Sequence, residues 1–349
     1  MPLSKIQGID GQVTPNLGRR NLIINGAMQV AQRGSSAVTV TTAASYRTVD
    51  RWKTDIDGSA GHDWSHEQST DAPVGFGHSS KITIVTSGTQ PTSATTAHQF
   101  YSLLEKQDVQ RLEWGTSNAK AATVSFYVKS SVTGNHGFRI IHYDSSSNAV
   151  AYNTHYTINT ANTWERKTIT VTGPTSGGIE PTATAQALFM EFKLGIDTTV
   201  EGLSGYQAWE STNAKATEAG TVYLPATSGA TWFITGVQFE VGDTATEFEH
   251  RSYGEELSLC QRYYVDCGKW FVQGYGYGTG TDGSGSALMF PTTMRAAPTI
   301  TQANGSDGGS SSSMNFNYIT TTGCSPEVQN TGTGQSVWYH ADITLSAEL

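Results

Sequence analysis

Apolar and polar positions alternate with a period of two along most of the chain. Val124, Phe126 and Val128 fall on one face of Ala122-Thr-Val-Ser-Phe-Tyr-Val-Lys129, and Trp232 and Ile234 do the same in the run from Thr231 to Val241. The segments Val49–Lys53, His62–His66, Lys81–Thr86, Phe138–Tyr143, Thr154–Ile158, Trp164–Thr172 and Ala187–Leu194 read as further short strands. Between them lie turn clusters such as Ser87-Gly88, Thr133-Gly134-Asn135 and Gly173-Pro174. Many short strands without intervening helical periodicity predict an antiparallel sandwich, because two one-sided sheets must bury their faces on each other. The apolar run Asn21–Gly26, stopped by an Asn-Gly signal, predicts a first strand at the start of that body.

One segment breaks the rhythm. Ser252-Tyr-Gly-Glu255 has the spacing of a capping box, in which Ser accepts the Glu amide proton and Glu reaches back. Good helix formers follow, with apolar positions at Leu257, Cys260 and Tyr264, so a single helix is predicted over 253–264, a hinge between two β domains. The expected organisation is an extended N-terminal arm at 1–20, a jelly-roll-type β-sandwich at 21–251, a linking helix at 252–265 and a small C-terminal β domain at 266–349. The arm's glycine, proline and small polar residues cannot support a core. The C-terminal part has very glycine-rich loops, and a domain of that size is marginal unless it associates.

Composition sharpens this picture. Of 349 residues, 15% are charged and 37 are glycine, a balance that suits turns and strands better than helix surfaces. A net charge of −9, with no basic run longer than Arg19-Arg20, excludes the counterion-displacing stripe that nucleic-acid binding requires. Cys260, Cys267 and Cys324 form no CxxC pair. They read as free thiols, with a Cys260–Cys267 loop disulfide as the alternative. The beginning Met-Pro-Leu-Ser-Lys lacks a signal-peptide core, and no apolar run approaches the roughly 18 residues of a membrane span. A soluble protein outside the general secretory route is expected.

Longer motifs carry a resemblance. Asn21-Leu-Ile-Ile-Asn-Gly-Ala-Met-Gln-Val-Ala-Gln-Arg-Gly34, then Val49-Asp-Arg-Trp52, Gln107–Leu112, Ala119–Ser130 and Trp232–Gly242 with Ala245–Arg251, resembles a recurring module of tail-fibre and appendage proteins of tailed bacteriophages. The last strand of that module is similar to those of carbohydrate-binding jelly rolls. Phe290–Ile300 is similar to a segment often found after it. The resemblance runs in order from about 20 to 300. It implies a virion structural protein (tail fibre, tail adaptor or capsid fibre subunit), assembled in the bacterial host cytoplasm. The arm is then expected to dock to other virion proteins. A homotrimer follows from the thin C-terminal domain and the three-fold fibres that the resemblance implies. Sugar binding is implied only loosely.

No catalytic residues, cofactor or metal are expected. His62-Asp-Trp-Ser-His66-Glu67 is the most metal-like stretch, but the Glu follows the second His and Gly58 and Gly61 oppose a helix, so it reads as a half-exposed strand. No pair among Asp63, Glu67, Asp71, Glu105 and Asp108 is singled out as a glycosidase would need. Gly283-Ser-Gly-Ser286 is no nucleophile elbow, and Gly274–Gly280 lacks the end of a phosphate loop. A polysaccharide-depolymerising tailspike and a ligand-free decoration protein remain as alternatives.

Aromatic residues are the remaining chemistry, because sugars stack their apolar C–H faces on aromatic rings. Trp52, Trp114, Trp164 and Trp232 alternate within strands and are expected in the core. Trp270, Tyr275, Tyr277 and Trp338 lie in or near glycine-rich loops and are the candidate glycan-binding residues, with burial at a subunit interface as the competing explanation.

Overall fold

The structure, a computed structural model, describes residues 19–41, 44–57, 62–92, 97–144, 148–178, 183–196, 207–210, 220–275, 283–308, 311–330 and 336–349. Thirteen strands build the first body. They are β1 (Val38–Val40), β2 (Ser45–Tyr46), β3 (Trp52–Asp57), β4 (Trp64–Ser69), β5 (Ser79–Ile84), β6 (Ala97–Glu105) and β7 (Ala122–Ser130). After these come β8 (Gly134–Tyr143), β9 (Ala149–Ile158), β10 (Glu165–Val171), β11 (Gln186–Ile196), β12 (Trp209–Glu210) and β13 (Thr231–Val241). Six form one sheet in the order β1-β4-β5-β13-β7-β10, and seven form the other in the order β12-β9-β8-β11-β6-β3-β2. Every pairing is antiparallel. The fold is all-β, an antiparallel jelly-roll-type sandwich, as the alternation predicts.

The period-two pattern works through burial. Val124, Phe126 and Val128 of β7 meet Leu188, Met190, Phe192 and Leu194 of β11 in one core. Trp52 stacks on Phe100 at 4.9 Å, and the Trp232 indole donates to the Tyr156 hydroxyl at 2.9 Å. Full burial of such rings stabilises the sandwich by roughly 2–3 kcal/mol each. Trp52, Trp114 and Trp232 are core residues as expected, although Trp114 lies outside the strands. Trp164 is not. It precedes β10, half-buried, with its indole donating to Asp71 at 3.1 Å and the Lys129 ammonium 5.2 Å from its ring.

Two further expectations are corrected. Asn21–Gly26 forms no strand. At Gly236, in the left-handed region at φ 62°, β13 changes register, and its pairing with β5 stops at Ile234. The 21–26 segment fills the vacated edge irregularly: the Leu22 amide donates to Phe239 O at 2.9 Å, and the Val237 amide to Gly26 O at 2.9 Å. A Cβ at Gly26 would meet Val237 O at 2.1 Å, so only glycine permits this approach. The second correction concerns His62–Glu67. Here β4 starts at Trp64, so Trp64 and His66 share the inward face, and His66 is fully buried rather than half-exposed. Its ring is satisfied by the Ser80 hydroxyl at 2.8 Å and by Thr48.

Helix α1 (Tyr253–Gln261) starts with the expected capping box: the Glu255 amide donates to Ser252 Oγ at 3.3 Å, and the Ser252 amide to Glu255 Oε2 at 2.9 Å. It ends three residues before the predicted 264, because Arg262 and Tyr263 are drawn to the sandwich. Arg262 bonds Glu105 at 3.0 Å, and the Arg51 guanidinium lies 3.4 Å from the Tyr263 ring. The helix buries Glu256 and Cys260 rather than Leu257. Glu256 accepts from Arg251 at 3.2 Å and from the Asn25 amide.

The remaining strands are β14 (Tyr264–Tyr275), β15 (Gly283–Gly285), β16 (Leu288–Met289), β17 (Thr299–Gly308), β18 (Ser311–Asn317), β19 (Gly323–Asn330) and β20 (Ser336–Ser346). A β14-β20-β17 sheet and a small sheet around β19 enclose a second core that includes Val272, Met314, Val328, Ile343 and Leu345. Charged contacts tie this part to the sandwich. Glu348 takes both Arg51 at 2.5 Å and Arg33 at 3.2 Å, and Lys53 donates to Leu349 O at 2.8 Å. Cys260, Cys267 and Cys324 are all free thiols. Of the expected arm, 1–18 lies outside the described residues.

Candidate functional site

β14 and β20 decide which of the predicted aromatics can meet a ligand. Their register places Phe271 opposite His340, Gln273 opposite Trp338 and Trp270 opposite Ala341. A bulge between Asp266 and Gly268, with Gly268 in the left-handed region at φ 61°, sets the phase of the strand beyond it. Trp270 and Val272 consequently face the second core, while Lys269, Phe271 and Gln273 face outward.

On the outward face three rings form one stack. Trp338 lies 6.1 Å from Phe271 at an interplanar angle of 26° and 5.6 Å from His340 at 10°. Phe271, at one end of the stack, is 54% exposed, an unusual state for a phenylalanine in the middle of a strand. The rim is polar. Lys269 and Gln273 are exposed beside Phe271, and Asp342 accepts from Asn304 at 2.7 Å. Behind the sheet Tyr339 packs inward, where a Cβ on Gly305 would meet its hydroxyl at 2.1 Å. An aromatic surface ringed by donors and acceptors suits the C–H faces and hydroxyl edges of a sugar.

Of the four candidate residues, Trp338 is in the stack. Trp270 is not: it packs against the second core, and its indole N–H is buried without a partner. Tyr275 ends β14 with its side chain outside the described residues, and Tyr277 lies outside them altogether. Phe271 and His340 were missed because the choice rested on proximity to glycine. Strand parity was the available signal, since residues 271 and 273 share the face that 270 and 272 do not.

A second concentration of charge lies on the outer face of the seven-stranded sheet. Glu191 pairs with Arg139 and with Lys193 at 2.9 Å; Lys193 donates to Gln99 at 2.7 Å, and Gln99 to Asp55 at 2.9 Å. Burial pushes the Glu191 carboxyl up, but Arg139 and Lys193 outweigh it and hold its pKa at about 2. Beside this ladder, Phe189 contacts Tyr101 at 5.4 Å and Tyr143 at 5.7 Å. Glu191 and Lys193 are only 2% exposed and satisfy one another, so the ladder does packing work. Among the described residues no group of three or more His, Cys, Asp or Glu is placed to hold a metal ion. Among them, too, no helix is long and apolar enough to cross a membrane.

No family model and no curated protein matches the chain. Solved structures match the chain only at low similarity. The enzymatically active domain of tailspike protein 4 of bacteriophage CBA120 is 14% identical with a TM-score of 0.32, over 64% of this chain and 22% of that one. The CBM22-1 xylan-binding domain of Paenibacillus barcinonensis Xyn10C is 11% identical with a TM-score of 0.29, over 62% of this chain and 100% of that one. The family 11 carbohydrate-binding module of Clostridium thermocellum Lic26A-Cel5E is 12% identical with a TM-score of 0.29, over 63% and 99%. The chain thus spans about a fifth of the tailspike domain's length and nearly all of the two modules.

Proposed function

We propose that this chain is a non-enzymatic structural subunit of a tailed-phage virion, namely a tail fibre, tail adaptor or capsid fibre, that presents a glycan-facing surface on its C-terminal β domain. The virion role rests on the ordered motifs between Asn21 and Ile300. The glycan role rests on one observation, the outward-facing Phe271–Trp338–His340 stack with Phe271 exposed at its end and a polar rim. In this reading the arm at 1–20 attaches the subunit to other virion proteins and the sandwich is the body. The C-terminal domain is distal, in a homotrimer assembled in the bacterial cytoplasm. It takes no cofactor and engages neither nucleic acid nor a membrane interior. One ring against one sugar contributes about 1 kcal/mol, so useful affinity comes from several copies acting together.

The test is adsorption of the purified protein to host cells, with Trp338→Ala and Phe271→Ala as variants. Both variants should keep the oligomer and lose most adsorption. Full adsorption by both sinks the glycan assignment, and release of reducing ends from capsule or lipopolysaccharide by the purified protein would favour the depolymerase alternative.

A further inference from the structure

The chain contains two Asn-Gly pairs, Asn25-Gly26 and Asn304-Gly305, and the fold treats them oppositely. Both asparagines have left-handed backbones, at φ 58° and 51°, so local conformation does not separate them. Environment does. Asn25 is fully buried: its Nδ2 donates to Val30 O at 2.8 Å and to Asp50 O at 2.9 Å, and its Oδ1 accepts from the Val30 amide at 3.0 Å. Asn304 and Gly305 are exposed and form the bulge of β17, an edge strand of its sheet. Ala303 pairs with Asp342 and Ser306 with His340, so the two residues between have no partner across the ladder. Among the described residues one hydrogen bond holds the Asn304 side chain, from Nδ2 to Asp342 Oδ2 at 2.7 Å. Position 305 is glycine for a packing reason, since a Cβ there would sit 2.1 Å from the Tyr339 hydroxyl. The same missing side chain leaves the Gly305 nitrogen unhindered.

We propose that Asn304 is a site of spontaneous covalent modification, in which the Gly305 nitrogen attacks Cγ of Asn304 and the amide ends as a carboxylate. Base from solvent takes the Gly305 amide proton, the N–Cγ bond forms, the Cγ–Nδ2 bond breaks, and the nitrogen leaves as ammonia. The resulting succinimide takes up one water. Opening at Cγ gives aspartate, and opening at the backbone carbonyl gives isoaspartate. The left-handed backbone of Asn304 has to rotate before Cγ meets that nitrogen, and an unpaired bulge at a sheet edge, followed by glycine, resists such rotation least. The change removes the donor to Asp342 and sets a second carboxylate against it, and like charges on neighbouring strands repel. Lys269 is opposite Asp342 in the register, and His340 is two residues along the same outward face. The modification therefore alters charge at the rim of the Phe271–Trp338–His340 stack, and glycan contact weakens as the protein ages. That consequence rests on the glycan-facing reading above; the chemistry at Asn304 does not.

The experiment ages the full chain in mildly acidic, neutral and mildly alkaline buffer at physiological temperature. Both Asn-Gly peptides are followed by mass spectrometry, with isoaspartate measured by enzymatic methylation. Asn304 should convert at least ~10-fold faster than Asn25, because Asn25 reacts only after its segment opens. The rate should rise with pH, isoaspartate should accompany aspartate, and the two pairs should converge in urea. Equal rates in the folded chain, or a rate indifferent to pH, overturn the assignment. Aspartate without isoaspartate overturns the cyclic route, and a difference that survives unfolding traces it to flanking sequence and overturns the structural argument. Asn304→Asp and Asn304→Gln then read the consequence in the cell-adsorption assay, with Trp338→Ala in parallel. Asn304→Asp should weaken adsorption roughly 2–5-fold while Asn304→Gln stays near the parent. Fast conversion with an Asn304→Asp that adsorbs like the parent overturns the effect on glycan contact and leaves the chemistry standing. A parent that adsorbs no better than Trp338→Ala refutes the glycan reading itself, and the ageing result is unaffected.

Discussion

Four histidines, His66, His98, His136 and His142, lie in the sandwich with no surface exposed, and each is held neutral by burial. Desolvation lowers His66 and His98 from 6.5 to about 3, and His136 and His142 to about 4. For a base whose pKa is lower in the folded state, the unfolded chain takes up the proton first as pH falls. Stability is therefore intact above 6.5 and drains away towards the folded values. At about pH 5 each histidine costs about 2 kcal/mol, or about 8 kcal/mol for the four. Asp50 works the other way. Burial raises its pKa from 3.8 to about 6, despite Gln32 and Arg33, so the folded chain gains roughly 1 kcal/mol at about pH 5. Glu191 and Glu165, both near about 2, lose their contribution only below 4.5, outside this window. The net loss of about 6–7 kcal/mol is comparable with the whole stability of an ordinary domain. Thermal melts followed by circular dichroism should show Tm falling by about 10–25 °C from about pH 7.5 to about pH 5. His98 isolates one share of this effect. Among the described residues neither ring nitrogen has a partner, and Trp64, His62 and Tyr223 surround it at 5.5 to 5.7 Å. His98→Phe should remove about a quarter of the fall. A Tm that stays level across this range, or an unchanged slope in His98→Phe, refutes the reasoning.

Three other predictions concern the buried charges, the N-terminal arm and the oligomer. Glu191→Ala removes the buried carboxylate that Arg139 and Lys193 share, so urea unfolding should show a loss of about 3–5 kcal/mol; a loss under about 1 kcal/mol would mean that the ladder is not buried in solution. Deleting residues 1–18 should leave the thermal transition nearly unchanged while abolishing incorporation into particles, and light scattering of the parent protein at micromolar concentration should report a trimer rather than a monomer.

The fold class was legible because period-two alternation is enforced at every strand by the same core, as the shared inward face of Val124, Phe126 and Val128 shows. The capping box at Ser252 was legible for a related reason: both of its hydrogen bonds are local. What sequence spacing missed depended on distant partners. Nothing between 20 and 30 announces that β13 will lose its neighbour after Ile234 and leave an edge for Asn21–Gly26. His66 looked like surface because its partners, Ser80 and Thr48, lie 14 and 18 residues away. At the candidate site a single bulged residue, Cys267, sets the parity that separates Trp270 from Phe271, and no local pattern marks that bulge.

The docking of Asn21–Gly26 against β13 and α1 also governs when the protein can fold. Asn21 meets Val237 across 216 residues of sequence, and the Asn25 amide meets Glu256 across 231. Contacts of that span close very long loops, and proteins dominated by them fold slowly. On a ribosome the 21–26 segment must wait, unpaired, until β13 and the helix that receive it have emerged from the exit tunnel. Completion of the sandwich is therefore a late event, coupled to synthesis of the linking helix. A ribosome-bound fragment ending before β13 would leave Asn21–Gly26 without the edge it docks on, which makes this junction a point where truncated chains would begin to aggregate.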